Sequence, residues 1–429
     1  MKTFIPVVVF LVASFSSYAQ TGWKICTSPS FQSRVDDIFM LDTQTGYAVC
    51  GDGKTVKTTD GGNNWTTLVQ LNNVYCRSVE FINTQKGFVG GFPVGTNPAN
   101  TNILRRTTDG GSTWTDLSSL LDDRARKGIC GLAIPDSNTI YGCGNWYQDA
   151  GYIIKSVDGG NTWSFIDMQP YASSIIDMHF TSKDTGFATG RGPLPLRTGI
   201  ILYTTNGGQS WTYKFQNTMA SQYCWKIQRL TDKLYFASLE DMLNLKPSIL
   251  RSADGGMNWT IQQVANNKYD IEGIGFIDPL KGWTGGDADY SFQSINGGVT
   301  WDTVHVCPFM NRVFKVNDTT LFATGDRIWK YKGDAVIPTL PPGRYVLMHC
   351  NPNPVKDNLR IDISLSRSTH VLLIVLDNAG KQINTIDNSN KQKGDYQYHF
   401  NAKPLPAGIY YVVIKTHEDK QSIKIVVSR

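Results

Sequence analysis

The chain has 429 residues, with 41 Lys and Arg against 36 Asp and Glu, a formal charge of +5. That mild balance, with no basic block, argues against a nucleic-acid partner. Aromatic residues make up 11% of the chain and glycine fills 40 positions; helix-period apolar patterning is scarce, so an all-β protein with a sizeable core is expected.

The chain opens on the pattern of a secretory signal over residues 1–19. Lys2 gives the positive start, Phe4 to Phe15 is mostly apolar, and Ser17-Tyr18-Ala19 fits a small-x-small cleavage site before Gln20. The apolar run is too short to span a bilayer and no later stretch qualifies. No Cys follows the expected cut, which argues against a lipoprotein. An exported, soluble monomer is expected.

From Thr58 onward one stretch recurs: Ser or Thr, any residue, Asp or Asn, Gly-Gly, two variable residues, Trp. It occupies Thr58–Trp65, Thr107–Trp114, Ser156–Trp163, Thr204–Trp211, Ser252–Trp259 and Ser294–Trp301, so its tryptophans are spaced by 49, 49, 48, 48 and 42 residues. A period of about 40–50 residues signals a propeller or solenoid. The third position (Asp60, Asp109, Asp158, Asn206, Asp254, Asn296) bonds to nearby amides, and the glycines take positive φ, so each copy reads as a hairpin turn. The tryptophan (Trp65, Trp114, Trp163, Trp211, Trp259, Trp301) then opens the next strand with a large apolar surface. Iteration in every blade argues for a structural role, since catalysis needs one asymmetric cluster.

Between the boxes lie strand pairs of the form apolar, turn, Gly-aromatic, as in Ile38-Phe39-Met40 with Gly46-Tyr47-Ala48 and Met178-His179-Phe180 with Gly186-Phe187-Ala188. Seven such pairs stand against six boxes. The seventh is followed by Arg327 to Tyr331 and no box, while Gly22-Trp23-Lys24-Ile25 resembles the Trp-led strand that follows each box. Trp23 lies 42 residues before Trp65. The simplest closure lets this N-terminal strand complete the last blade, removing open edges. The reading is a seven-bladed β-propeller over 20–335, a Pro-rich linker over 336–350, and a small Ig-like β-sandwich of about six strands over 351–429.

Eight cysteines enter an oxidising compartment. Cys130 and Cys143 flank Pro135-Asp136-Ser137-Asn138 symmetrically and are expected to face each other across a hairpin. Cys50 and Cys76 are expected at adjoining strand ends of neighbouring blades. Both pairs are candidate disulfides, with free buried thiols as the alternative.

The repeated turn resembles the Asp-box of BNR-type propellers, and together with the Gly-aromatic strands it is similar to the photosystem II stability/assembly factor family. In the last domain, Asn351-Pro352-Asn353-Pro354-Val355, Leu405-Pro406-Ala407-Gly408-Ile409-Tyr410-Tyr411 and Lys424-Ile425-Val426-Val427 resemble the C-terminal sorting domain of type IX secretion substrates. That resemblance implies export across an outer membrane, with the secretion machinery as partner of 351–429 and a secreted or surface location.

Candidate ligand-binding residues lie where inner strands begin and their partners end, at one mouth of the channel. Strand starts supply Asp36, Arg77, Lys226, Glu272 and Arg312; strand ends supply Asp52, Trp146, Arg191, Asp287, Asp289 and Asp326. Trp225, Tyr223, Phe92, Tyr147 and Tyr290 add aromatic surface, a mixture suited to sugars or peptides. The alternative is an ordinary solvated rim. Six histidines are scattered without metal-ligand spacing, and no phosphate loop, His-Glu-x-x-His or nucleophile elbow occurs. No metal, cofactor or catalytic set is assigned. The sequence therefore favours a propeller that binds a glycan or a surface protein on its channel face. The alternative is a glycoside hydrolase or lyase working through rim carboxylates. The Arg-Ile-Pro that commonly introduces a sialidase arginine is absent, and only one propeller is present where xyloglucan enzymes pair two.

Overall fold

The computed structural model describes residues 22–95, 103–144, 151–243, 246–267, 269–333, 346–365, 367–417 and 420–428. The predicted signal segment, Trp146 and Tyr147 lie outside them. The chain divides into two compact units, the first ending at Gly333. No helix among the described residues is long and apolar enough to cross a membrane.

The first unit is a ring of seven four-stranded antiparallel sheets. Blade 1 comprises Val35–Met40, Gly46–Cys50, Lys54–Thr58 and Thr66–Gln70, from the channel outward. Blades 2 to 6 repeat that order, with inner strands Val74–Phe81, Ile129–Ala133, Ser174–Phe180, Gln222–Arg229 and Gly273–Phe276. Blade 7 takes Arg312–Asn317, Thr320–Thr324 and Ile328–Lys332 from one end of the ring and Trp23–Ile25 from the other, with Trp23 opposite Tyr331 and Ile25 opposite Trp329. Trp23 packs edge-on to Trp283 at 5.2 Å, joining blade 7 to blade 6. The expected closure is thus formed by pairing and by packing.

Apolar cores lie between successive blades. Tyr141 and Cys143 of blade 3 meet Ile175 and Met178 of blade 4, and Ala48 and Cys50 of blade 1 meet Phe322 and Ile328 of blade 7. The boxes fasten the blades at the lower face, where the two outer strands of each blade turn. In all six, the Ser or Thr hydroxyl accepts from the second glycine's amide at 2.8–3.0 Å and donates to Oδ1 of the Asp or Asn. That Oδ1 then accepts the amide four residues on. Only Oδ1 is needed, which explains why Asn206 and Asn296 serve; their Nδ2 atoms donate to Ser210 and Thr300. The second glycine leaves no room for a side chain. At Gly62 (φ +82°) a Cβ would sit 2.4 Å from Phe322 of the preceding blade, and at Gly160 2.7 Å from Phe88. Cations of the preceding blade complete the fastening: Lys330, Lys57 and Lys155 donate to the carbonyls of Gly61, Gly110 and Gly207.

All eight cysteines are buried thiols, so neither predicted disulfide is formed. The physical reason lies in local register. A β-bulge between Ile129 and Gly131 leaves Cys130 unpaired and packs it with Ile176, Tyr223 and Trp225, whereas Cys143 packs between blades 3 and 4. Cys50 faces blade 7 and its thiol donates to the Ser33 carbonyl at 3.1 Å, while Cys76 faces the opposite side, between blades 1 and 2.

The second unit packs two sheets around Leu359, Ile361, Leu373, Val375, Val412 and Ile425. One holds Val346–Asn351, Asn358–Leu365 and Gly394–Asn401; the other holds Gln382–Lys391, Thr369–Asp377, Gly408–Lys415 and Lys420–Val427, in spatial order. Seven strands replace the expected six or so, and the first begins inside the segment read as linker. The Asn-Pro-Asn-Pro stretch and the terminal strand meet in space. Asn353 Nδ2 donates to the Lys424 carbonyl at 2.8 Å, its Oδ1 accepts from the Val426 amide at 2.8 Å, and Val355 bridges Val427.

Candidate functional site

Inner strands of most blades carry a bulge near their start: between Val35 and Asp37, Cys76 and Ser78, Ile175 and Asp177, and Cys224 and Ile227. A bulge inserts one residue and re-aims the side chains around it. Here it turns polar residues of otherwise apolar strands toward the channel. The amides of Val79 and Ile227 then donate to the preceding blade's Asp37 and Asp177 at 3.0 and 3.1 Å.

Mid-channel, Arg312 donates from Nη1 and Nη2 to Asp177 at 2.9 and 3.0 Å and from Nε to Asp37 at 2.8 Å. Such a forked, charge-assisted pairing is the strong kind. Although burial opposes its ionisation, the Arg312 guanidinium and Lys226 hold the Asp177 carboxyl below its ordinary range. Lys226 is 1% exposed and its Nζ has no hydrogen-bond partner. Burial, reinforced by Arg312, pushes its ammonium's pKa down.

At the upper mouth, where inner strands begin, Arg77 is fully buried and donates to Asp36 at 2.6 Å. Arg34 joins Asp36 at 2.8 Å and Glu272 at 3.1 Å, and Asn311 also donates to Glu272. A ladder of rings and cations climbs the other side. Arg77 lies 5.5 Å from the Trp225 ring, Trp225 stacks with Tyr223 at 5.4 Å, and Arg191 covers Tyr223 at 4.4 Å. These separations place the guanidinium groups within cation–π reach. Trp225 Nε1 donates to Glu240, and burial pushes the Glu240 carboxyl up to about 8. Burial, then Asp287 and Glu272, likewise raise Asp270. A cavity of about 450 Å³ opens beside this set, lined by Phe31, Arg34, Asp287, Phe309 and Asp326.

The lower mouth forms a second hollow of about 250 Å³ over Arg312, walled by Glu80, His179, Phe39 and Phe314. Burial, with Asp37 nearby, pushes Glu80 up to about 8, and burial, with Arg229 nearby, takes His179 down to about 4. Burial thus disfavours the charged form of both.

Of the predicted site residues, Arg77, Arg191, Trp225, Glu272, Asp287 and Asp326 come together at the upper mouth. Lys226 and Arg312 lie deeper, in the channel itself. Asp289 is exposed and does not line the cavity. Asp52 caps its own turn, accepting from the amides of Gln32 and Lys54. Sequence reasoning missed Arg34, Asp37, Glu80, Asp177, His179, Glu240 and Asp270. The available signal was a charged residue inside an otherwise apolar inner strand, as at Asp177, or at the end of its neighbour, as at Glu240.

Residues 350–428 match the family model described as a secretion system C-terminal sorting domain. A search of curated proteins finds no match. Among solved structures, YCF48 bound to D1 peptide is 17% identical, with a TM-score of 0.55 over 73% of this chain and 98% of that one. YCF48 from Cyanidioschyzon merolae is 18% identical, with a TM-score of 0.55 over 73% and 99%. An ancestral GH74 enzyme is 14% identical, with a TM-score of 0.53 over 95% of this chain and 64% of that one. These likenesses show the fold. The chain thus joins a seven-bladed propeller of YCF48-like fold to a type IX C-terminal sorting domain, which marks it for export to the cell surface or beyond.

Proposed function

We propose that this exported propeller binds a glycan or a protein at the upper mouth of its channel. The observation that carries the reading is the ladder Arg191–Tyr223–Trp225–Arg77, set beside a cavity with Arg34, Asp287 and Asp326. The rings of Tyr223 and Trp225 are buried and brace Arg77 and the partly exposed Arg191, while Arg34, Asp287 and Asp326 line the cavity with directional polar groups of both signs, as recognition sites require. The sorting domain brings this mouth outside the cell, where polysaccharides and surface proteins are the available ligands. Incubating the purified full chain with a panel of polysaccharides and glycoproteins, scoring both retention and released products, tests it. Retention without products, lost in Arg191→Ala, supports binding; retention unchanged in that variant contradicts this location.

A second reading is favoured by one feature. Glu240, whose carboxyl burial pushes up to about 8, lies near Glu272, and two carboxyl groups in unlike environments are the pattern of glycosidic acid and base chemistry. Small products from one polymer, abolished by Glu240→Gln, would establish it; an unaltered product yield in E240Q would exclude Glu240 as the acid.

A further inference from the structure

Three loops cross the upper face at blades 4 and 5: residues 192–198, residues 217–221, and the turn at Met242 and Leu243. Hydrogen bonds stitch them together. The Ser221 amide donates to the Leu196 carbonyl at 2.9 Å, Gln222 to Arg197 at 3.0 Å, and Met242 to Ser221 at 3.0 Å. Held this way, they expose Leu194 (56%), Leu196 (53%), Met219 (44%), Met242 (47%) and Leu243 (64%). These are five of the sixteen exposed large apolar side chains among the described residues, gathered on one ridge. Water gains no hydrogen bond from leucyl or thioether groups, and contiguous exposed apolar surface marks interaction sites.

Two observations define the occupant. Gln222, bonded to the ridge, begins the strand that carries Tyr223 and Trp225, so the ridge runs into the ladder of the upper mouth. Charge on this face is divided: Arg197 and Lys246 flank the ridge, where the neighbouring Asp241 is buried and accepts from the Leu243 amide at 3.1 Å, while Asp270, Asp287, Asp289 and Asp326 stand on blades 6 and 7. Aliphatic surface suits apolar side chains and offers little to sugar hydroxyls.

We propose that the ridge seats an extended protein segment carrying Leu- or Met-type side chains and an acidic residue beside them, with its basic end toward blades 6 and 7. The inference rests on the upper mouth being the binding face and narrows the partner to protein.

The test measures fluorescence polarisation of labelled decapeptide pools on the full chain. One pool has Leu or Met at alternate positions with Glu at one end and Lys at the other; the control pool has Ser in place of Leu and Met. A labelled oligosaccharide set forms the third arm. The apolar pool should bind about tenfold more tightly than the Ser pool, and Leu196→Ser with Met219→Ser should cut that preference below about twofold at an unchanged melting temperature. Equal binding of the two pools, or a preference that survives L196S/M219S, overturns the proposal. Arg191→Ala separates the two readings. Loss in both variants supports both. Loss in R191A alone keeps the mouth and removes the ridge; loss in L196S/M219S alone does the reverse. Binding of oligosaccharides only removes the protein partner, and binding of nothing removes both readings.

Discussion

The rim of the propeller and the wall of its channel come from the same repeat, yet they repeat different things. Around the rim, six boxes make the same hydrogen bonds and pack a glycine on the blade before. Around the channel, the blades present unlike polar sets: Asp36 and Asp37, Arg77, Asp177, Trp225 and Lys226, Glu272, and Arg312. Uniform fasteners hold blades at a uniform spacing, which ring closure requires. A channel that varies from blade to blade can favour one ligand over another. The most conspicuous motif in the chain therefore fastens blades, and the polar variety lies in the positions that break the pattern.

The channel should be the more costly region to disturb. Arg312→Met leaves Asp37 and Asp177 buried without their guanidinium, and a loss of about 3–5 kcal/mol is expected in urea unfolding. A loss below about 1 kcal/mol would show that these carboxylates are not held by Arg312. The rim comes next. Gly62→Ala forces a Cβ against Phe322 at positive φ and should cost about 1–3 kcal/mol. An unchanged midpoint would mean that the box does not dock tightly on blade 7.

Smaller effects separate the regions by pH. Glu80 titrates at about 8 in the folded chain against an ordinary 4.5, so folding takes up its proton in that window. Its stabilising contribution is full below 4.5 and is lost as pH rises through 8. Glu80→Gln stays uncharged, so its stability relative to the parent should grow steadily from pH 5 to pH 8. A difference flat in pH would contradict the burial of that carboxyl. The boxes act in the opposite sense. Hydrogen bonds from Asn64, its amide first, hold the exposed Asp60 carboxyl down at about 2, so its contribution is present above the ordinary carboxylate range and is lost only as pH falls through 2. The smallest effect is expected there: Asp60→Asn should melt with the parent because Asn206 and Asn296 already serve, and Asp60→Ala should melt slightly below both. Equal melting of all three would remove the Oδ1 bond from the account.

The two regions also differ in how far the sequence revealed them. Periodic spacing of Trp65 to Trp301, with Trp23 one period earlier and seven strand pairs between, revealed the blade number and the closing strand, because six of the seven blades make the same turn. The bulges left no such trace. A one-residue insertion inverts which side chains face the channel, so Gly131 takes the place opposite Cys143 that Cys130 would fill and Asp177 enters the channel without any change in composition. Gln382–Lys391 escaped notice for a related reason: as a polar strand on the edge of its sheet, it carries no apolar alternation. Glu240 was hidden at the end of an apolar strand, where only the fold brings Trp225 to it.

The central claim is that ligand recognition belongs to the channel mouth and not to the boxes. Its most direct test is side-by-side retention of the full chain, Arg191→Ala and Asp109→Ala on one polysaccharide, glycoprotein and peptide panel. The account predicts that R191A loses retention while D109A keeps the parent's profile. Retention kept by R191A and lost by D109A, with both variants folded, would contradict it.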